Sequence, residues 1–231
     1  MTAARELELK QNYLSVASEI PQDRRLICVS KTFPISDIEI LYRLGHRDFG
    51  ENKVQELAEK ALALANSCPE IRWHMIGHLQ SNKIKKLLSL PNLAAIHSID
   101  SIELLNKLIK SQYDKSISIF LEVKTTSENE KAGFENLFDL KKAILILKDQ
   151  NTFKLQGLMT IGSIRSHDFE KAALESFQKL MDLKRDLDQE FQLKPSLELS
   201  MGMSQDYRMA LKMGSNYVRI GSKILGSREN T

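Results

Sequence analysis

The sequence predicts a single (β/α)8 TIM-type barrel with an extra N-terminal helix, an α/β fold, and three observations carry that expectation. Eight short apolar, β-branched runs punctuate the chain, helix-period apolar stripes lie between them, and no internal repeat or low-complexity linker breaks the alternation. With 231 residues, 42% of them hydrophobic, the chain is long enough for one large core or two small ones. Typical barrels take about 250 residues, so this one must be lean. The expected organisation is one domain over 1–231, a helix over 1–20 and the barrel over 25–226. An open doubly wound sheet is the competing architecture, but it more often stops at about five or six strands.

Leu9, Tyr13, Val16 and Ile20 repeat at helical spacing, which predicts an amphipathic opening helix ending at Pro21. Arg25-Leu-Ile-Cys-Val-Ser-Lys31-Thr32 follows, with Leu26, Ile27 and Val29 suited to a buried strand and Thr32-Phe33-Pro34 to a turn. Ser36-Asp-Ile-Glu39 has the capping-box pattern and opens a short helix through Ile38, Leu41 and Tyr42 that stops at Gly45. His46 to Gly50 is the second strand, and the helix after Asn52 carries Val54, Leu57, Ala58, Ala61 and Ala65 on one side. Arg72 to Gly77 is the third strand. It turns at His78-Leu79-Gln80, and Ser81 leads into a helix with Ile84, Leu87 and Leu88. Leu93 to His97 is the fourth strand, and Asp100-Ser-Ile-Glu103 repeats the capping-box pattern ahead of Leu105, Leu108 and Ile109.

Ser116 to Val123 is the fifth strand, and a polar loop from Lys124 to Gly133 precedes a helix marked by Leu137, Leu140, Ile144 and Leu147. Phe153 to Ile161 is the sixth, followed by the longest stripe, Phe169, Ala173, Phe177, Leu180 and Leu187. Ser196 to Ser200 is the seventh, then Tyr207, Ala210 and Leu211 sit on a helix closed by Gly214, and Tyr217 to Ile220 is the eighth.

Net charge is +3 with both signs interspersed, and no long Lys/Arg block is present, so neither nucleic acid nor an anionic membrane is expected as a partner. Lys83, Lys85 and Lys86 read as the solvated face of a short helix. Cys28 and Cys68 lack metal-ligand spacing, which points to reduced thiols and a cytoplasmic location. The first ten residues are polar and no apolar run approaches a bilayer span, so neither a signal peptide nor a transmembrane segment is expected.

Lys31 holds a flexible primary amine at the carboxyl end of a rigid strand. An ammonium desolvated there has a depressed pKa and supplies the free amine needed to condense with an aldehyde or ketone. The competing reading is a solvated lysine that closes a strand. In a barrel the loops after each strand gather on one face, where active sites lie. Asn52 follows the second strand, His78 the third, Ser200-Met-Gly-Met-Ser204 the seventh, and Arg219 lies in the eighth with Gly221-Ser222 after it. Small residues after the last two strands let backbone N–H groups approach a phosphate, and Ser200, Ser204 and Ser222 add hydroxyls. They serve equally as simple turn residues. An amine facing a phosphate cradle suits a phosphorylated aldehyde such as pyridoxal 5'-phosphate.

Val29-Ser-Lys-Thr32, Phe49-Gly-Glu-Asn52, Ile76-Gly-His-Leu-Gln-Ser-Asn-Lys83, His97-Ser-Ile-Asp100, Gly157-Leu-Met-Thr160, Ser200-Met-Gly-Met-Ser204 and Val218-Arg-Ile-Gly221 run in order from Leu26 to Gly226. Together they resemble the pyridoxal phosphate homeostasis (PLP-binding) protein family, related to the N-terminal barrel of alanine racemase. The resemblance implies a Schiff base on Lys31, phosphate contacts at Ser200, Gly221 and Ser222, Arg219 near the pyridine nitrogen and Asn52 near the ring. His78 and Met201 are further pocket candidates, and no residue is assigned a catalytic role. One departure is Lys124, where the family commonly has Asn, which would place a second amine in the pocket.

A guanidinium beside the pyridine nitrogen disfavours ring protonation and weakens the electron sink. By resemblance, racemases of this barrel type tolerate that arginine but need a second β domain and a tyrosine delivered across a dimer. Only Ser227 to Thr231 follow the barrel, so no such domain is expected. The expected function is therefore cofactor binding, buffering and delivery to PLP-dependent apoenzymes by a monomer, without robust catalysis. The alternatives are a PLP-dependent racemase or lyase acting on small amino acids, and a cofactor-free Schiff-base aldolase. His74 and His78 stand four apart, but on a strand that spacing is too long for zinc.

Overall fold

A computed structural model describes residues 3–111, 113–126, 132–162 and 168–226. Strands β1 (Arg25–Val29), β2 (Asp48–Glu51), β3 (Arg72–Met75), β4 (Leu93–Ile99), β5 (Ile117–Glu122), β6 (Phe153–Met159), β7 (Glu198–Ser200) and β8 (Tyr217–Ile220) close a parallel barrel in sequence order. Pairing of Ile27 with Arg219 and of Cys28 with Phe49 joins β1 to both neighbours. The expected (β/α)8 fold is thereby present, with α1 (Ala3–Ala17) as the additional N-terminal helix. Around the barrel run α2 (Ile35–Arg43), α3 (Val54–Leu64), α4 (Ile84–Leu88), α5 (Ile102–Ile109), α6 (Leu137–Lys148), α7 (Phe169–Phe191), α8 (Tyr207–Lys212) and α9 (Ser222–Leu225).

Alternation along the strands sorts side chains into two cores. Phe49, Trp73, Ile119 and Leu121 point outward into the large cluster shared with the helices, whereas Ile27, Ala95, Phe120, Met159 and Tyr217 pack inside the barrel. The helices dock through the expected stripes: Leu57, Ala58 and Ala61 of α3, and Ala173, Phe177 and Leu180 of α7, are all buried. Leu137 is half exposed, because α6 turns its first residue away from the barrel.

Both capping boxes resolve differently from the pattern. Pro34 is the N-cap of α2, its carbonyl accepting from the Asp37 N–H, and Ser36 lies within the helix. The Asp37 carboxylate instead receives Arg5 of α1 at 2.6 Å, which fastens the extra helix to the barrel. In α5 the cap is Ser101, whose hydroxyl accepts from the Leu104 N–H, because the Asp100 carboxylate is turned toward His78. Gly45 ends α2 as expected, at φ +93, with the Gly45 N–H donating to Tyr42 and the His46 N–H to Leu41, the Schellman pattern. The loop predicted from Lys124 to Gly133 lies partly outside the described residues, as does the tail after Gly226.

Candidate functional site

A cavity of about 500 Å³ opens at the carboxyl end of the strands. Lys31 enters it two residues beyond β1, Asn52 follows β2, Arg219 comes from β8, and Gly221 and Ser222 close it at the start of α9. Val29, Phe33 and Met203 give it apolar wall. Two more voluminous depressions, about 810 and 580 Å³, lie between α4 and α5 and against the amino ends of β1 to β3. Neither is served by the carboxyl ends of the strands, where barrel sites form.

Arg219 is buried and heads a chain of hydrogen bonds through the barrel. Its guanidinium donates to the Thr160 carbonyl and to Ser200 Oγ, each at 2.8 Å. Ser200 Oγ lies 3.0 Å from His97 Nδ1, His97 Nε2 lies 3.0 Å from His74 Nδ1, and His74 Nε2 lies 2.9 Å from Asp48 Oδ1. A carboxylate can only accept, so with one proton on each imidazole the direction of every bond follows from the Asp48 end. Ser200 donates to His97, His97 donates from Nε2, and His74 donates from Nε2 to Asp48; the tautomers are assigned from this network. Burial, with His74 and Arg219 nearby, holds the His97 imidazole well below its usual range. Burial also pushes the Asp48 carboxyl up, but hydrogen bonds from His74 and Arg72 outweigh that and hold it below the carboxylate range. Burial lowers the Arg219 guanidinium to about 10, still charged at neutral pH. The cavity floor is thus a fixed cation whose other hydrogen bonds are committed to the barrel interior.

Five of the sequence candidates, Lys31, Asn52, Arg219, Gly221 and Ser222, line this one cavity. Three do not. Ser200 faces into the barrel as strand alternation requires, and its hydroxyl is spent on Arg219 and His97. Met201 points outward and is fully buried in the helix-side core. Gly202, at φ +92, then redirects the chain so that Met203, Ser204 and Gln205 reach the cavity. The hydroxyl of Ser204 accepts from the Gly221 N–H at 3.3 Å, tying the two loops together. His78 is largely exposed and meets Asp100 at 3.0 Å instead of the cavity. Lys124 likewise is not a second pocket amine among the described residues, since it pairs with Glu135 at 2.5 Å. Sequence reasoning overlooked Gly77, where a Cβ would sit 2.4 Å from the Asn52 carbonyl oxygen; a lone glycine after a strand was the available signal.

Fold and cavity together define the class, a barrel of the kind described as alanine racemase, N-terminal domain, whose profile matches residues 7–229. The pyridoxal phosphate homeostasis protein of Mus musculus is 39% identical over 212 residues, covering 89% of this chain and 77% of the relative. PipY of Synechococcus elongatus PCC7942, in its structure with PLP bound, superposes with a TM-score of 0.82 at 31% identity, covering 94% of this chain and all of that one. Alanine racemase of E. faecalis shares the fold at 13% identity and TM-score 0.72, over 96% of this chain and 58% of its own. The chain belongs to the pyridoxal phosphate homeostasis protein family within that class. Among the described residues no helix is long and apolar enough to cross a membrane.

Proposed function

We propose that the protein binds pyridoxal 5'-phosphate as a Schiff base on Lys31 and maintains its supply by buffering and delivery, without robust turnover. The carrying observation is that Lys31, Arg219, Ser204 and Ser222 line one cavity. This donor set fits the group: an amine for its aldehyde, the Ser204 and Ser222 hydroxyls for its phosphate, with Gly221 leaving room beside them, and a cation for its ring nitrogen. When bound, the cofactor supplies an aldehyde whose C=O is replaced reversibly by C=N, with release of one water. Ser204 takes the phosphate-contact role that the resemblance put on Ser200, because the Ser200 hydroxyl is committed beneath Arg219. Asn52, which lines the same cavity, would stand beside the ring.

Arg219 speaks against broad aminotransferase-type catalysis, since a guanidinium beside the ring nitrogen would oppose its protonation and blunt carbanion stabilisation. The name of the mouse relative and the bound ligand of PipY support the same reading. Receiving apoenzymes, a monomeric state, a single domain and a cytoplasmic location complete it. Protein incubated with the cofactor is expected to develop a visible absorption band, and borohydride is expected to fix the label on Lys31. Lys31→Ala is expected to lose both. An unchanged band in that variant ends the assignment, and Lys31-dependent turnover of amino acids on a chiral column would replace buffering with catalysis.

A further inference from the structure

The turn that carries Lys31 is fastened from the outer side of the barrel wall. Val29 and Lys31 line the cavity, so Ser30 between them faces outward toward α3. There Lys60 is buried, and its ammonium donates to the Ser30 carbonyl at 2.7 Å, to Glu51 Oε1 at 2.8 Å and to Glu56 Oε1 at 2.7 Å. Three acceptors saturate its three protons. Ser30 Oγ donates to the same Glu51 oxygen at 2.7 Å, and the Thr32 N–H donates to the same Glu56 oxygen at 2.5 Å. The carbonyl before Lys31 and the N–H after it therefore end on the two partners of one ion pair, Lys60 and Glu56.

Two features indicate that this cluster serves geometry more than stability. Thr32 is β-branched yet sits at φ +69, a left-handed conformation that relaxes unless held. Glu51 is fully buried with Oε2 unpartnered, and burying charge in this way is a poor source of stability. We propose that Glu56, bonded to both Lys60 and the Thr32 N–H, is a positioning residue that fixes the backbone on both sides of Lys31 and so aims its amine into the cavity. This rests on Lys31 being the cofactor-binding amine.

Lys60→Met would strand a buried carboxylate, so the test uses Glu56, which is partly solvent-exposed. In cofactor-free protein, Glu56→Ala is expected to speed Thr32 amide hydrogen exchange about tenfold, the effect of one hydrogen bond, while Glu56→Gln, which keeps an acceptor oxygen, stays near wild type. On adding pyridoxal phosphate, the visible band is expected to grow about tenfold more slowly in Glu56→Ala, with rescue in Glu56→Gln. Wild-type exchange or a wild-type rate in Glu56→Ala overturns the proposal. A borohydride label absent from Lys31 in the wild-type chain overturns the functional reading instead, and the exchange measurement, made without cofactor, stands apart from it.

Discussion

Gly157→Ala is expected to abolish the stable barrel, whereas Gly45→Ala is expected to cost only about 1–2 kcal/mol. At Gly157 a Cβ would lie 1.9 Å from the Glu198 carbonyl oxygen and 2.7 Å from its carbon, so the atom in the way is neighbouring backbone. Relief requires β6 and β7 to separate by roughly 1 Å, which breaks a ladder held at Gly157–Glu198, Leu158–Leu199 and Met159–Ser200. That same ladder sets Thr160 beside Ser200 and hence the two acceptors of Arg219. Gly45 meets nothing within 4 Å, and only its positive φ resists a side chain. Urea unfolding of both variants decides the matter. A Gly157→Ala midpoint within the range of Gly45→Ala would show that the strands can part without losing the fold.

How much of this was legible in the sequence depended on whether the signal was periodic or contextual. Strand and helix order followed from apolar spacing, because burial on both faces of a parallel strand leaves an unbroken run such as Leu26 to Val29. Lys31 and Arg219 were legible for the same reason: each has a fixed distance from a strand whose register the pattern dictates. Ser200 and Met201 were misplaced because inward and outward facing alternate within the strand, while the cavity is reached only after Gly202 reverses the chain. His78 was misplaced because its destination depends on Asp100, a residue 22 positions away. The interior chain from Asp48 to Arg219 and Thr160 unites residues from six different strands or strand ends, and no local window contains it. The Lys60 cluster was hidden behind helical periodicity, where a lysine reads as solvent-facing; its 5% exposure comes from the outward Ser30 and Glu51 of the wall it covers.

Replacing Glu122 by glutamine is expected to stabilise the protein at pH 8 by on the order of 3 kcal/mol and to change little near pH 4. Glu122 ends β5 opposite Met159, on the inward face two residues beyond Phe120, and is 5% exposed. Burial, reinforced by the nearby Asp100 carboxylate and opposed by Arg219, raises its carboxyl from 4.5 to about 7. Between those two values the unfolded chain has released the proton that the folded chain retains, so unfolding releases a proton there and stability falls as pH rises. Above about 7 both states are ionised and the whole penalty is present. Glutamine has the same shape and no charge to desolvate, which removes the penalty at high pH and leaves the acid side untouched. Urea midpoints at pH 4, 6 and 8 measure the difference; parallel wild-type and Glu122→Gln curves would show that the carboxyl ionises at its ordinary pKa. Because the transition centres near neutrality, the wild-type interior acquires one negative charge in the field of Arg219 over the range in which cells operate. Arg219 stays cationic throughout, its guanidinium lying near 10, so only the compensating charge in the barrel changes and the cation facing the cavity is retained.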